Sequence, residues 1–188
     1  MTDTENKPPR PAWGPPANFR RRVPDGDSLE RLVCDDCGFV AYENPKLVVG
    51  AVCVWEDRIL FGKRSIHPRK GYWTLPAGFM EMRETMAEGA AREAWEETCA
   101  RIEIDALIGL YDIPRIGQIH VMYRARLLSP DVAPGVESLE VALFRWDEIP
   151  WKELAFPTST WALDHWRETK DLKTFAPFGS PPDYQGLR

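Results

Sequence analysis

Between Gly78 and Ala100 the chain reads GFMEMRETMAEGAAREAWEETCA, and no other stretch restricts the possible folds so strongly. Thr85, followed three residues later by Glu88, has the form of a capping box. In such a box the hydroxyl and the carboxylate each satisfy an orphan backbone N–H at a helix start. Ala87, Ala90, Ala91 and Ala94 come next, small and strongly helix-forming, so the helix can lie close against a sheet. Glu93, Glu96 and Glu97 stand at i, i+3 and i+4 and project from one side. Like charges at that spacing cost a helix roughly 0.2–0.5 kcal/mol per pair. A divalent cation would remove that cost, since hard cations such as Mg²⁺ take oxygen ligands and are commonly shared between carboxylates and substrate phosphates. In isolation, Glu-x-x-Glu-Glu is more often a solvated acidic helix face.

The bulk numbers bound the rest. At 188 residues and 44% hydrophobic content the chain has enough for one globular domain with a real core and is marginal for two. A formal net charge of −5 argues against a general binder of nucleic acid or membrane surfaces. The absence of an 18-residue apolar run or a charged-then-apolar leader predicts neither a membrane span nor a signal peptide. The four cysteines do not form a secreted disulfide framework, and a reducing, cytoplasmic setting is expected.

Along the chain, residues 1–28 are rich in proline and charge, including Arg20-Arg21-Arg22, and are expected to be a mobile tail. Cys34-Asp35-Asp36-Cys37-Gly38 has the form of a zinc knuckle, but structural zinc takes four ligands and this chain has one such pair. Cys53, Cys99 and the three histidines lie at no ribbon-like spacing, so residues 29–46 are expected to be a metal-free hairpin and linker. From 47 to 172 the pattern is regular. Leu47 to Trp55 is an apolar run suited to a buried strand, and Arg58 to Arg64 returns after a Glu56-Asp57 turn. Ser65 to Gly71 is a basic loop, and Tyr72 to Ala77 leads into the acidic helix. Strands are predicted at 101–110, 118–128 and 141–146, and a turn into a short helix at 147–151. Thr158 or Ser159 would cap a last helix, with His165 packed on its face. Residues 173–188 again read as tail.

The spacing Gly78, five residues, Glu84, seven residues, Arg92-Glu93-Ala94-Trp95-Glu96-Glu97 resembles the Nudix box, Gly-x5-Glu-x7-Arg-Glu-U-x-Glu-Glu-x-Gly-U with U apolar. Every charged position is filled. Cys99 stands where the pattern has its second Gly, a place where a left-handed backbone is usual and costs a residue with a Cβ roughly 1–2 kcal/mol. The Cys34–Gly38 segment and Tyr42-Glu43-Asn44-Pro45-Lys46 resemble the join between ribbon and catalytic domain in the zinc-ribbon Nudix subfamilies. These include NADH pyrophosphatases and a group acting on FAD and ADP-ribose. The first knuckle is missing here.

The resemblance implies an α/β fold: a Nudix α/β/α sandwich with a mixed sheet, preceded by a small N-terminal extension like half a zinc ribbon. It implies Mg²⁺- or Mn²⁺-dependent hydrolysis of the pyrophosphate bond in ADP-ribose, FAD or NADH, releasing AMP and a second monophosphate. The metal shell would be Glu93, Glu96, Glu97 and the backbone carbonyl of Ala77, with zinc not expected on Cys34 and Cys37 alone. Arg92 is placed on the opposite flank of the helix from most of the acids, pairing with Glu84 or Glu88 to hold the loop that carries Ala77 and Gly78. The general base is a box glutamate or a loop acid, Glu137 or Glu140. Arg64 or Arg69 would meet a phosphate, and Tyr72 and Trp73 would stack on the base. A homodimer is expected, as in many relatives. Two other readings stand beside this one: a non-catalytic ligand-sensing module, and removal of nucleotide caps from RNA with help from Arg20 to Arg22.

Overall fold

The computed structural model describes residues 18–182 and Tyr184, and divides into two units that meet between Asn44 and Pro45.

The first unit is a three-stranded antiparallel sheet of β1 (Phe19–Arg22), β2 (Arg31–Cys34) and β3 (Val40–Ala41) in that order. The expected tail therefore ends early, because Phe19 to Arg22 pair with β2 from Phe19↔Cys34 to Arg22↔Arg31. Residues 1–17 of that expectation lie outside the described residues. Local composition hid the strand, because what holds it is distant in sequence. The Phe19 ring meets Phe39 edge-on at 6.4 Å, and Arg20 Nε lies 2.7 Å from Asp35 Oδ2. Asp27 accepts from the Ser28 and Leu29 N–H groups and from Arg31 Nε at 3.0 Å, closing the loop between β1 and β2.

The second unit follows the chain as β4 (Lys46–Trp55), β5 (Arg58–Arg64), β6 (Trp73–Thr74), β7 (Ala77–Phe79), α1 (Met86–Thr98), β8 (Ile102–Ile113), β9 (Gln118–Leu127), β10 (Ser138–Arg145) and α2 (Pro157–Thr169). The sheet order is β10-β5-β4-β9-β8, with β6 on β5 and β7 on β4. The β4–β9 pair is parallel and the others antiparallel, so the sheet is mixed. Helices cover both faces. On β4, Ala51 and Cys53 pack with Ala94 of α1 and Val49 with Ala90, while Val52 joins Ala162 and Leu163 of α2. A strand buried on both sides reads as a continuous apolar run instead of an alternating one, which is what Leu47 to Trp55 shows.

Three features of this unit differ from expectation. Helix α2 starts at Pro157 with Phe156 as its N-cap and no side-chain cap bond, so Thr158 and Ser159 are buried first-turn residues and not caps. Proline's fixed φ suits the first helical position, where a missing N–H costs nothing. Two 3₁₀ turns, Trp146–Glu148 and Trp151–Glu153, replace the short helix. The C-terminal segment is docked along the outer strand β8. Leu110 N–H donates to Phe178 O at 2.9 Å, Phe178 N–H donates to Ile108 O at 2.8 Å, and the Phe178 ring stacks on His165 at 4.0 Å. An edge strand has free peptide groups to pair, and here the chain's own end takes them. His165 packs as expected, half-buried and hydrogen-bonded through Nδ1 to the Tyr111 hydroxyl at 2.8 Å. Among the described residues no helix is long and apolar enough to cross a membrane.

Candidate active site

Helix α1 begins as the sequence predicts. Glu88 N–H donates to Thr85 Oγ1 at 3.2 Å, and Thr85 N–H donates to Glu88 Oε2 at 2.7 Å. From that fixed start the helix turns Glu93 and Glu97 inward beneath β7, both 8% exposed, and leaves Glu96 on the rim. Pairing of β7 with β4, Val49 opposite Gly78 and Gly50 opposite Ala77, sets the peptide groups that meet these acids. Ala77 N–H donates to Glu97 Oε2 at 3.1 Å. A Cβ on Gly78 would overlap Glu93 Oε2 and stand 2.5 Å from Oε1, so any larger residue would push the carboxylate from this seat. Burial pushes the Glu97 carboxyl up to about 8, against the opposing bond from Ala77 N–H. Burial likewise raises Glu93, with Arg92 opposing.

Arg92 does not point away from the acids, as helix geometry alone suggests. Its guanidinium grips Glu84 with two bonds, Nε to Oε2 at 3.0 Å and Nη2 to Oε1 at 2.9 Å. Its Nη1 also donates to Glu93 Oε1 at 2.7 Å and Glu96 Oε2 at 2.9 Å, and Nη2 donates to Phe79 O at 3.0 Å. A planar fork of five N–H donors can bridge several acids at once, and the i to i+4 reach to Glu96 lets it fold back over the cluster. Pairing with Glu84 agrees with expectation, whereas Glu88 is used by the cap. Arg92, helped by the Glu81 N–H, holds the Glu84 carboxyl down at about 2. The result is a clamp that ties the loop after β7 to the helix.

The loop candidates separate. Behind burial, the negative charge of Glu137 adds to the rise of both Glu93 and Glu97. Glu140 instead reaches Lys63 Nζ at 3.4 Å along the β5–β10 pair. The positive charge of Arg64 counters the rise of Glu97, while its Nε donates to Pro68 O at 2.9 Å and its guanidinium lies 5.1 Å from the Phe156 ring centre. Tyr72 is half-buried, with the exposed Arg69 over its ring at 5.2 Å. Trp73 is not available to a base: it is 5% exposed and edge-on to Phe144 at 5.0 Å in the α2-side core. Its position beside Tyr72 gave no sign of this, because adjacent residues of a strand face opposite ways.

Carboxylate and peptide carbonyl oxygens are the ligand types that a hard divalent cation takes, and the missing side chain at Gly78 leaves the room that the Glu93 carboxylate occupies. The acids are not yet gathered into a cage: among the described residues no three of them converge as a ready ligand set. Arg92 holds Glu93 and Glu96, and Ala77 N–H holds Glu97. Zinc fits the first unit poorly. Cys34 is buried and Cys37 exposed, and the Asp35 and Asp36 between them are bonded to Arg20 and Asn18. Two thiols fall short of the four ligands structural zinc takes. A cavity of about 580 Å³ lies at the other end of β4, lined by Trp146, Trp166, Arg124 and Arg167. It shares no residue with the acids, and Arg124 there is already spent on Asp105 and the Leu172 carbonyl.

A family profile described as NUDIX domain matches residues 44–166, and one described as Nudix N-terminal matches residues 16–43. The chain belongs to the Nudix family. The crystal structure of a NUDIX hydrolase from Nitrosomonas europaea superposes on it with a TM-score of 0.81 at 44% identity, covering 86% of this chain and 92% of that one. An ADP-ribose pyrophosphatase from Methanocaldococcus jannaschii is 30% identical over 134 residues, 69% of this chain and 74% of that protein. A MutT-like protein from Streptomyces ambofaciens is 34% identical over 102 residues, and this chain spans 64% of its length. In this Nudix chain the residue that sequence reasoning missed is Gly135. Pro134-Gly135 was visible as a turn, but nothing local shows that the turn rests on the end of α1.

Proposed function

We propose that the chain is a Mg²⁺- or Mn²⁺-dependent pyrophosphohydrolase acting on a nucleoside diphosphate joined to another group. ADP-ribose is the first substrate to test, then FAD and NADH, with AMP and a second monophosphate as products. The observation that carries this reading is the pair of buried carboxylates, Glu93 and Glu97, seated on the Gly78 and Ala77 backbone. Buried acids crowded together have a use where a cation joins them.

A diphosphate bridge resists water because its oxygens are already negative, so its cleavage needs charge neutralised and a deprotonated water delivered in line. A bound metal supplies Lewis-acid neutralisation of the phosphate oxygens and lowers the pKa of a water. Glu93, Glu96, Glu97 and the carbonyl of Ala77 are the residues that would hold it. Arg92 anchors the Phe79–Glu84 loop, so its work is geometric. Glu137 is the candidate to take the water's proton on its carboxylate. Arg64, whose positive charge counters the rise of Glu97, suits a substrate phosphate, and Tyr72 with Arg69 suits the base. The name of the M. jannaschii relative supports ADP-ribose as first choice. A homodimer belongs to the same proposal and is read by light scattering.

The test is AMP release from ADP-ribose, FAD, NADH and NAD⁺ with Mg²⁺ or Mn²⁺. Metal-dependent release from ADP-ribose is the expected result. No release from any of the four with either metal would overturn the reading.

A further inference from the structure

The end of α1 carries a problem that the box pattern ordinarily solves with glycine. Cys99 adopts the left-handed conformation, φ 52° and ψ 20°, and its N–H donates to Trp95 O at 2.8 Å. The carbonyls of Glu97 and Thr98 lie beyond that cap, and helix-end carbonyls need partners. They find them in the loop between β9 and β10: Gly135 N–H donates to Glu97 O at 2.9 Å and Ala133 N–H donates to Thr98 O at 3.0 Å. Gly135 lies flat on the helix end. A Cβ there would overlap the carbonyl oxygen of Glu96 and come within 2.8 Å of its carbon, both backbone atoms that cannot swing aside.

Two residues later stands Glu137. Its carbonyl accepts from Ser65 N–H at 2.8 Å, Val136 O accepts from Ser65 Oγ at 3.2 Å, and Ser138 N–H closes the turn onto Gly135 O at 3.1 Å. The segment 133–138 is thus pinned at one end to the helix that carries the acid cluster and at the other to the residue after Arg64. The side chain of Glu137 is exposed and no hydrogen bond is found for its carboxylate among the described residues, so what the fold fixes is the backbone position and Cβ direction from which the carboxylate extends. We propose that Gly135 is a positioning residue: by resting on the Glu96–Glu97 peptide it sets where the Glu137 carboxylate stands relative to Glu93 and Glu97. The same latch holds the helix end that Cys99 leaves without its glycine. This inference rests on the role given to Glu137 in the proposed reaction.

The test is a double-mutant cycle on ADP-ribose hydrolysis with Mg²⁺, with thermal unfolding followed for each variant. Glu137→Gln alone should lower kcat by about 10²-fold or more, the contribution of a positioned base. Gly135→Ala alone should lower kcat by a comparable factor with KM changed less than about threefold, while the protein still melts cooperatively. In the Glu137→Gln background the same glycine change should cost less than about threefold, because residues acting as a unit are non-additive. An equal cost in both backgrounds, or none in either, overturns the latch. A wild-type kcat in Glu137→Gln instead overturns the base, and the latch with it. Should Gly135→Ala not fold, Ser65→Ala replaces it: a loss of about threefold or more in the wild-type background, absent beside Glu137→Gln, supports the latch, and equal losses refute it.

Discussion

Helix α1 holds Glu93 and Glu97 beneath β7, each carboxylate met by a backbone or guanidinium donor. The Cys34–Cys37 hairpin places its thiols at the end of a small sheet, with Asn18 and Arg20 bonded to the two aspartates between them. Both stretches have the form of metal sites. They differ in where the donors must come from. Three acids spaced on one helix need only that helix and the peptide of one neighbouring strand. A knuckle supplies half of a tetrahedron and needs a second knuckle from elsewhere in the chain. In this chain Asn18 and Arg20 bond the aspartates between the thiols, so the hairpin relies on a hydrogen bond and an ion pair, whereas the helix brings its acids together by spacing alone.

The sharpest way to break this comparison is to remove a charge from the helix. Glu97→Gln keeps an acceptor for Ala77 N–H but removes the carboxylate that a cation would take. It should lower metal-dependent hydrolysis by about 10³-fold while the metal-free protein melts at the same or a higher temperature, read by AMP release and by calorimetry. Arg92→Ala should do the reverse: it leaves Glu84 and Glu93 without their partner. A stability loss of about 3 kcal/mol in urea unfolding and a fall of about tenfold or more in kcat are expected. Arg92→Lys should recover little, since a point charge cannot bridge Glu84, Glu93 and Glu96 together.

A third effect belongs to the α2 side of the sheet. His120 on β9 is hydrogen-bonded to Gln118 at 3.0 Å, lies across from Tyr111, and is held down at about 4 by burial. In the unfolded chain an imidazole titrates near 6.5, so between those values the unfolded state binds the extra proton. Stability should therefore fall as pH drops from about 6.5 to 4, by up to about 3 kcal/mol, and His120→Gln should flatten that slope in pH-dependent unfolding. The smallest effect is expected in the hairpin. Cys34→Ser with Cys37→Ser should change hydrolysis by less than about twofold and stability by less than about 1 kcal/mol, with no zinc found by elemental analysis of the parent protein. One zinc per chain would erase the contrast between the two regions.

The parts of this molecule that could be read from sequence are those whose cause is local. Thr85 and Glu88 cap α1 because they are three residues apart, and the acids share a face because of helical spacing. The continuous apolar run of β4 betrayed a strand covered on both sides. What escaped depends on partners far along the chain. Trp73 is core because Phe144 arrives from β10, Phe19 is a strand because Phe39 and Cys34 meet it, and the C-terminal segment docks because β8 is an edge. Arg92 was misdirected because helix geometry fixes where a Cβ points, while a long guanidinium side chain can still fold back to acids on the next face.

The most direct measurement is AMP release from ADP-ribose across a Mg²⁺ titration, run side by side on the wild-type chain and on Glu97→Gln. Release that saturates with Mg²⁺ in the wild type, vanishes in chelator and stays flat in the variant is the predicted result. Equal release by the two proteins, or release that persists in chelator, would contradict the account.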